Sequence, residues 1–192
     1  MALLAELTEL LTSEWAIRTF LRHDALRAID IVTTWTASDN EHVRRLASEG
    51  TRPFLPWGVR VPELDPTAAL PLLDALYRDE SEYVRRSVAN HLNDLSRVNP
   101  DLVVSTAARW LANPVESTPA LVRHALRTLV KAGNAGALAL LGFGEASVEI
   151  AGPDLDLHAV PFSGEVRFVA SVQNTGTESA ALAIDYIVFH QK

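Results

Sequence analysis

Three short segments carry the residues whose types and spacing could do chemistry. Glu41-His-Val-Arg-Arg-Leu-Ala47, Glu82-Tyr-Val-Arg-Arg-Ser-Val88 and Ala120-Leu-Val-Arg-His-Ala-Leu126 share a Val-Arg anchor. Aligned on it, Arg44, Arg85 and Arg123 form one column, and Arg45, Arg86 and His124 the next. Four residues on stand Glu49, Asn90 and Thr128, and three beyond those Arg52, Asn93 and Lys131. Residues spaced i, i+4 and i+7 share one helical face. Stacked helices therefore present Arg45-Glu49-Arg52, Arg86-Asn90-Asn93 and His124-Thr128-Lys131 along one groove. A guanidinium offers phosphate a planar two-point fork, and it also stacks on aromatic or base faces. Periodic Arg has a plainer reading too: a cation at this position often pairs with an acid of the next repeat. Taken alone, the columns favour a scaffold, because charge runs are usually solvated faces. His42, His91 and His124 come one per repeat, and cysteine is absent, so neither a metal site nor a cofactor is expected.

The elements that must position these columns repeat with them. Position 41 recurs at 82, and 82 at 120, offsets of 41 and 38 residues. Periods near 40 with two apolar helical segments each are the mark of HEAT-like helix pairs. Residues 25–36, 66–77 and 100–111 supply the first helix of each pair through apolar residues at three-to-four spacing, as in Leu102, Val103, Ala107, Trp110 and Leu111. Pro66 and Pro100 suit a first turn, where a missing amide donor costs nothing. Asp39-Asn40, Ser81 and Ser117-Thr118 supply N-cap types before the second helices. An opening pair over 3–11 and 13–21 brings the total to four, and a helical tail follows over 135–142. Trp15, Trp35 and Trp110 lie on apolar stripes and are expected in the core.

From residue 147 the pattern changes to period two, at 148–150, 166–172 and 183–189, with Asn174-Thr-Gly176 as a turn. The expected fold is thus mainly α, an α-α superhelix over 1–143 followed by a partial immunoglobulin-like β-sandwich over 147–192. A full sandwich needs about seven strands. Three leave an apolar face that must pack on something or mediate self-association.

The chain has 192 residues, 48% of them hydrophobic, which excludes a disordered chain. No apolar run reaches membrane-spanning length and no signal segment opens it, so no membrane partner and a cytoplasmic location are expected. A formal charge of −7 argues at first against nucleic acid. The charge is unevenly placed, however. Residues 144–192 hold two basic and seven acidic groups, net −5, whereas residues 1–143 hold fifteen basic and seventeen acidic, net −2. Fourteen of those fifteen are Arg, and most acids fall outside the columns, so the groove can be locally basic.

Several longer segments shift the balance from scaffold to nucleic acid. Ser13-Glu-Trp-Ala-Ile-Arg-Thr-Phe-Leu21, Asn40-Glu-His-Val-Arg-Arg-Leu-Ala-Ser-Glu-Gly-Thr-Arg-Pro53, Leu55-Pro-Trp-Gly58, Glu82-Tyr-Val-Arg-Arg-Ser-Val-Ala-Asn-His-Leu-Asn-Asp94 and Val122-Arg-His-Ala-Leu-Arg-Thr-Leu-Val-Lys131 resemble the AlkC-type DNA alkylation-repair glycosylases. The resemblance runs over essentially the whole chain. Members generally carry further helical repeats before the Ser-Glu-Trp segment and complete the β domain, so a short or truncated member is expected. Thr19 stands where Pro is usual and Phe54 where a basic residue is common.

The resemblance implies a glycosylase that removes cationic N3-methylated bases from alkylated double-stranded DNA. A base already positively charged leaves without a general acid. What remains is to stabilise an oxocarbenium-like sugar and position water, work for a carboxylate and aromatic faces. On this footing Glu49 is the first candidate catalytic residue and Glu14 the second. Trp57 would stack on sugar or base, and Arg45, Arg52, Arg86, Asn90, His124 and Lys131 would line the DNA, the cations holding phosphates. The competing reading is a catalytically silent HEAT-type adaptor for DNA or protein.

Overall fold

The computed structural model describes residues 1–157, 160 and 163–187. The chain divides into two compact units, Met1–Leu140 and Leu141–Lys192. In the first unit, helices α1 (Ala2–Leu7), α2 (Glu14–His23), α3 (Ala25–Thr34) and α4 (Glu41–Glu49) are followed by α5 (Leu70–Leu76) and α6 (Glu82–Leu95). Then come α7 (Pro100–Ala112), α8 (Thr118–Ala125), α9 (Arg127–Lys131) and α10 (Ala135–Leu140). Short 3₁₀ turns extend α3 at Trp35–Ala37 and precede α5 at Pro66–Ala69.

The pairs α3/α4, α5/α6 and α7/α8 are the repeats read from the 40-residue period. α4 packs along α6, and α6 along α8. The Val-Arg anchors explain the alignment: Val43, Val84 and Val122 are buried, as are Ala47, Val88 and Leu126 four positions on. Each anchor fills the seam between neighbouring repeats. Removing apolar area from water in this way is the main favourable term in stacking them. The other row is equally apolar, with Leu72, Leu73 and Leu76 of α5 and Val103, Ala107 and Trp110 of α7 in the core. Tyr77 stacks on Trp110 at 4.7 Å, and the Trp110 indole N–H donates to Asp74 at 2.8 Å.

Caps account for several starts. Asn40 accepts the His42 amide at 2.8 Å, Asp24 the Arg27 amide at 3.1 Å, and Asn99 that of Leu102 at 3.1 Å, with Pro100 in the first turn of α7. Ser81 and Ser117 stand at cap positions without capping by their side chains. Ser81 instead donates its hydroxyl to Glu41 of the preceding repeat.

Three expectations for the helical unit need correction. The opening pair is shorter than 3–11 suggests, because α1 stops at Leu7. The last second helix is not continuous: α8 ends at Ala125, and α9 restarts at Arg127. Trp15 is 56% exposed rather than in the core, whereas Trp35 and Trp110 are buried. The buried stripe of α2 is Glu14-Ile17-Arg18-Leu21, and half of it is charged. A search for apolar periodicity therefore assigns Trp15 to the wrong face.

The second unit contains an antiparallel pair, β1 (Val148–Leu155) and β2 (Phe168–Asn174), with Ile150 opposite Val172 and Leu155 opposite Phe168. The ladder is irregular between Ala151 and Asp154. Asn174 accepts the Gly176 amide at 2.9 Å, closing the turn expected after β2. The third expected strand is absent over 183–187, which carry no ladder bonds; residues 188 and 189 lie outside the described residues. No helix among the described residues is long and apolar enough to cross a membrane.

Candidate nucleic-acid interface and carboxylate site

The first Arg column is structural. Arg44 is 8% exposed and forks onto Asp79 of the next repeat, with Nε–Oδ2 at 2.6 Å and Nη2–Oδ1 at 3.0 Å. Its Nη1 donates to the Ser38 and Asp39 carbonyls, both at 3.0 Å. Arg85 repeats half of the device, donating to the Asp79 and Glu80 carbonyls at 2.6 and 2.7 Å. In both repeats the guanidinium ties down the loop five and six residues before it. The hydrogen bond to Asp79 holds the Arg44 pKa above its ordinary value. Arg123, at the same position in the third repeat, is exposed.

The next column builds the site. Glu14, the first residue of α2, and Glu49, the last of α4, are 1% and 2% exposed. Arg45 lies between them: Nη1 pairs with Glu14 Oε1, and Nη2 stands 4.0 Å from Glu49 Oε1. The Arg45 guanidinium also sits 4.5 Å over the Tyr83 ring, which His42 meets edge-on. Both Glu49 oxygens are engaged, Oε1 by Arg52 Nη1 at 2.6 Å and Oε2 by the Ser87 hydroxyl at 2.6 Å. Glu14 differs, because its Oε2 is buried with no partner among the described residues.

Arg52 was expected on phosphate, but the structure turns it inward. It is 6% exposed and bound by Asp94 as well as Glu49. Burial alone would lower its pKa, but the hydrogen bonds it donates to Asp94 and the charge of Glu49 hold it above the ordinary value. His91, completely buried below, donates from Nδ1 to the Ser48 carbonyl at 2.9 Å. Burial pushes its pKa down to about 4, so the ring is neutral at pH 7.

A family model described as DNA alkylation repair enzyme matches residues 11–129, which span this whole constellation. The chain belongs to that family. It is a member of the AlkC type. The Pseudomonas fluorescens alkylpurine DNA glycosylase AlkC, solved bound to DNA containing an abasic site analog, aligns with a TM-score of 0.83 at 42% identity, over 91% of this chain and 49% of that one. The uncharacterized protein YhaZ of Bacillus subtilis (strain 168) is 48% identical over 145 residues, 74% of this chain and 40% of the relative. The chain spans half or less of the length of the relatives it matches.

Within this alkylation-repair member, the remaining expected residues separate into tied and free. Asn90 Oδ1 accepts from His124 Nε2 at 2.9 Å and from Arg127 Nη2 at 3.1 Å, bridging α6 to the third repeat. Asn93 Oδ1 accepts the Thr128 amide at 3.2 Å, a second tie between the same repeats. Partial burial, with Arg127 and Arg86 nearby, pushes the His124 pKa down to about 4, so it offers a hydrogen-bonding group rather than a cation. Arg86 and Lys131 are exposed. Arg86 and His124 share a cleft of about 310 Å³ between α6 and α8, which Glu82, Arg85, Ala89 and Leu121 also line. Trp57 is 57% exposed on the loop after α4, next to buried Leu55.

The sequence reading missed Tyr83 and Ser87 as parts of the site. Tyr83 lies three residues before Arg86 on the same helix, under the Arg45 guanidinium, and Ser87 donates its hydroxyl to Glu49. Neither stands out from periodicity alone.

Proposed function

We propose that the chain serves DNA alkylation repair as a glycosylase, hydrolysing the N-glycosidic bond of cationic N3-methylated bases in duplex DNA. Family membership supports the class. The observation that carries the reading is the Glu14 carboxylate, buried beside Arg45 with Oε2 left without a partner among the described residues. An unsatisfied buried acceptor is unfavourable. Its natural use is toward something that arrives with the substrate: a water proton, or the positive charge of the opening sugar.

A cationic base departs neutral, so the residues have two tasks. One is to hold negative charge near the developing oxocarbenium ion, and the other is to take a proton from the water that attacks C1′. Glu14 suits both. Glu49 has both oxygens occupied and suits a supporting role, fixing Arg45 and Arg52 and adding negative charge. This order reverses the expectation that Glu49 leads. Trp57 provides an aromatic face for sugar or base. Arg86 and Lys131 hold phosphates, with Arg45 at their margin. The β unit, an antiparallel pair with alternating apolar residues, reads as the beginning of an immunoglobulin-like domain.

The test is release of N3-methyladenine from alkylated duplex DNA by purified protein, compared with Glu14→Gln and Glu49→Gln. Glu14→Gln keeps size and one polar contact but removes the charge, and its excision rate should fall by about a hundredfold or more. Wild-type excision by Glu14→Gln defeats the carboxylate assignment. No release by the wild type defeats the glycosylase reading and favours the adaptor, which has its own support in the structural use of Arg44, Arg52 and Arg85.

A further inference from the structure

Arg18, in the middle of α2, is 1% exposed, and its guanidinium hydrogen-bonds no carboxylate among the described residues. A buried cation without a counter-ion is unfavourable unless other groups satisfy its donors. Here backbone carbonyls do so. Nη1 donates to Gly50 O at 3.1 Å and to Arg52 O at 3.0 Å, and Nε donates to Val59 O. All three acceptors belong to one stretch of chain, the segment between Glu49 and the residues just past Trp57.

Gly50 is the C-cap of α4, whose last carbonyls lack helical partners and lie at the negative end of the helix dipole. A cation placed there satisfies a carbonyl and offsets the unfavourable placement of Glu49 at the same helix end. At the far side of the segment, Val59 is held by the same guanidinium. Gly58 packs on its stem: a Cβ on Gly58 would stand 3.0 Å from Arg18 Cδ and 2.8 Å from Leu55 Cδ2. Trp57 thus has buried Leu55 on one side and the Arg18 anchor on the other, while its own side chain is 57% exposed.

We infer that Arg18 is a positioning residue for base excision: it fixes the segment carrying Trp57 relative to Glu49, and it does so through backbone carbonyls rather than by touching DNA. This rests on the glycosylase reading above. Lysine cannot replace it, because one ammonium cannot reproduce a fork that donates in two directions to carbonyls nine residues apart.

The test uses Arg18→Lys in the full chain, with Trp15→Phe as background so that Trp57 is the exposed tryptophan. Single-turnover excision should fall by about tenfold or more, while DNA affinity stays within about threefold, since misplacing a group by an ångström costs rate more than binding. The red-edge fluorescence anisotropy of Trp57 should fall as the loop gains motion. A folded Arg18→Lys protein with unchanged anisotropy and unchanged excision overturns the inference. If Arg18→Lys does not fold, Gly58→Ala takes its place, because its Cβ crowds both Leu55 and the Arg18 stem and leaves the guanidinium present. Unchanged anisotropy in Gly58→Ala overturns the inference equally. A wild type that excises no base, with anisotropy that still falls in either variant, keeps the anchor and removes only the glycosylase reading.

Discussion

Arg52 and Asp94, 42 residues apart in sequence, form a two-point fork, with Nε to Oδ2 at 3.0 Å and Nη2 to Oδ1 at 3.2 Å. The same carboxylate accepts the Phe54 amide at 3.3 Å, so one acid of α6 holds both the side chain and the backbone that follow α4. Through Arg52 Nη1 the network reaches Glu49, and through Arg45 it reaches Glu14. Three acids and two arginines from three repeats are thereby joined in one buried system.

Breaking that fork should cost stability rather than phosphate contact. Arg52→Met leaves Asp94 buried without its cation and Glu49 with Arg45 alone, and loss of one member of a buried pair typically costs about 3–5 kcal/mol. Chemical denaturation should show a loss of that order. The salt dependence of DNA binding should not change, and a decrease in its slope would return Arg52 to the phosphate contacts.

Arg86 and Lys131 should behave in the opposite way. Both are exposed, so Arg86→Ala and Lys131→Ala should leave stability within about 0.5 kcal/mol. Each should reduce the log-log salt slope of duplex binding by about 0.9, the value for one released counterion. The check is fluorescence anisotropy of labelled duplex DNA titrated at several salt concentrations, and an unchanged slope removes that residue from the interface.

Protonation of His91 supplies a pH test. Its folded pKa, about 4, lies below the ordinary 6.5, so between those values the unfolded chain binds more protons than the folded one. Stability therefore falls as pH drops from about 6.5 to 4, by up to about 3 kcal/mol at the acid end of the window. Asparagine can keep the donor to Ser48 O without titrating. His91→Asn should flatten the dependence of Tm on pH in this window, and an unaltered slope assigns it to other groups.

The repeat architecture was legible because it rests on apolar spacing. Val43, Val84 and Val122 recur in sequence and are buried in space. The columns were legible as positions but not as roles. Arg44, Arg85 and Arg123 are the same residue at the same repeat position, yet the first is forked onto Asp79, the second binds loop carbonyls and the third is exposed. What decides among them is the acid or carbonyl that the neighbouring repeat supplies, which no local pattern records. Glu14 was reached only through family resemblance. It lies on a buried stripe with Ile17, Arg18 and Leu21, where charge masks the helical period.

The β unit yields the last prediction. Among the described residues β1 and β2 pair only with each other, and two strands are marginal in water without an apolar face covered. Here Ile150 is 69% exposed and Phe168 52% exposed, with Val172 and Leu155 as their cross-strand partners. Ladder partners share a face, so each pair places apolar side chains together on the sheet surface. Exposed apolar patches of this kind favour association. The protein should therefore self-associate with rising concentration in multi-angle light scattering. Ile150→Thr combined with Phe168→Thr should shift it toward monomer while leaving the salt slope of DNA binding as in the wild type, because the β unit is acidic. A double variant that associates like the wild type but loses DNA affinity would assign this surface to the nucleic acid instead.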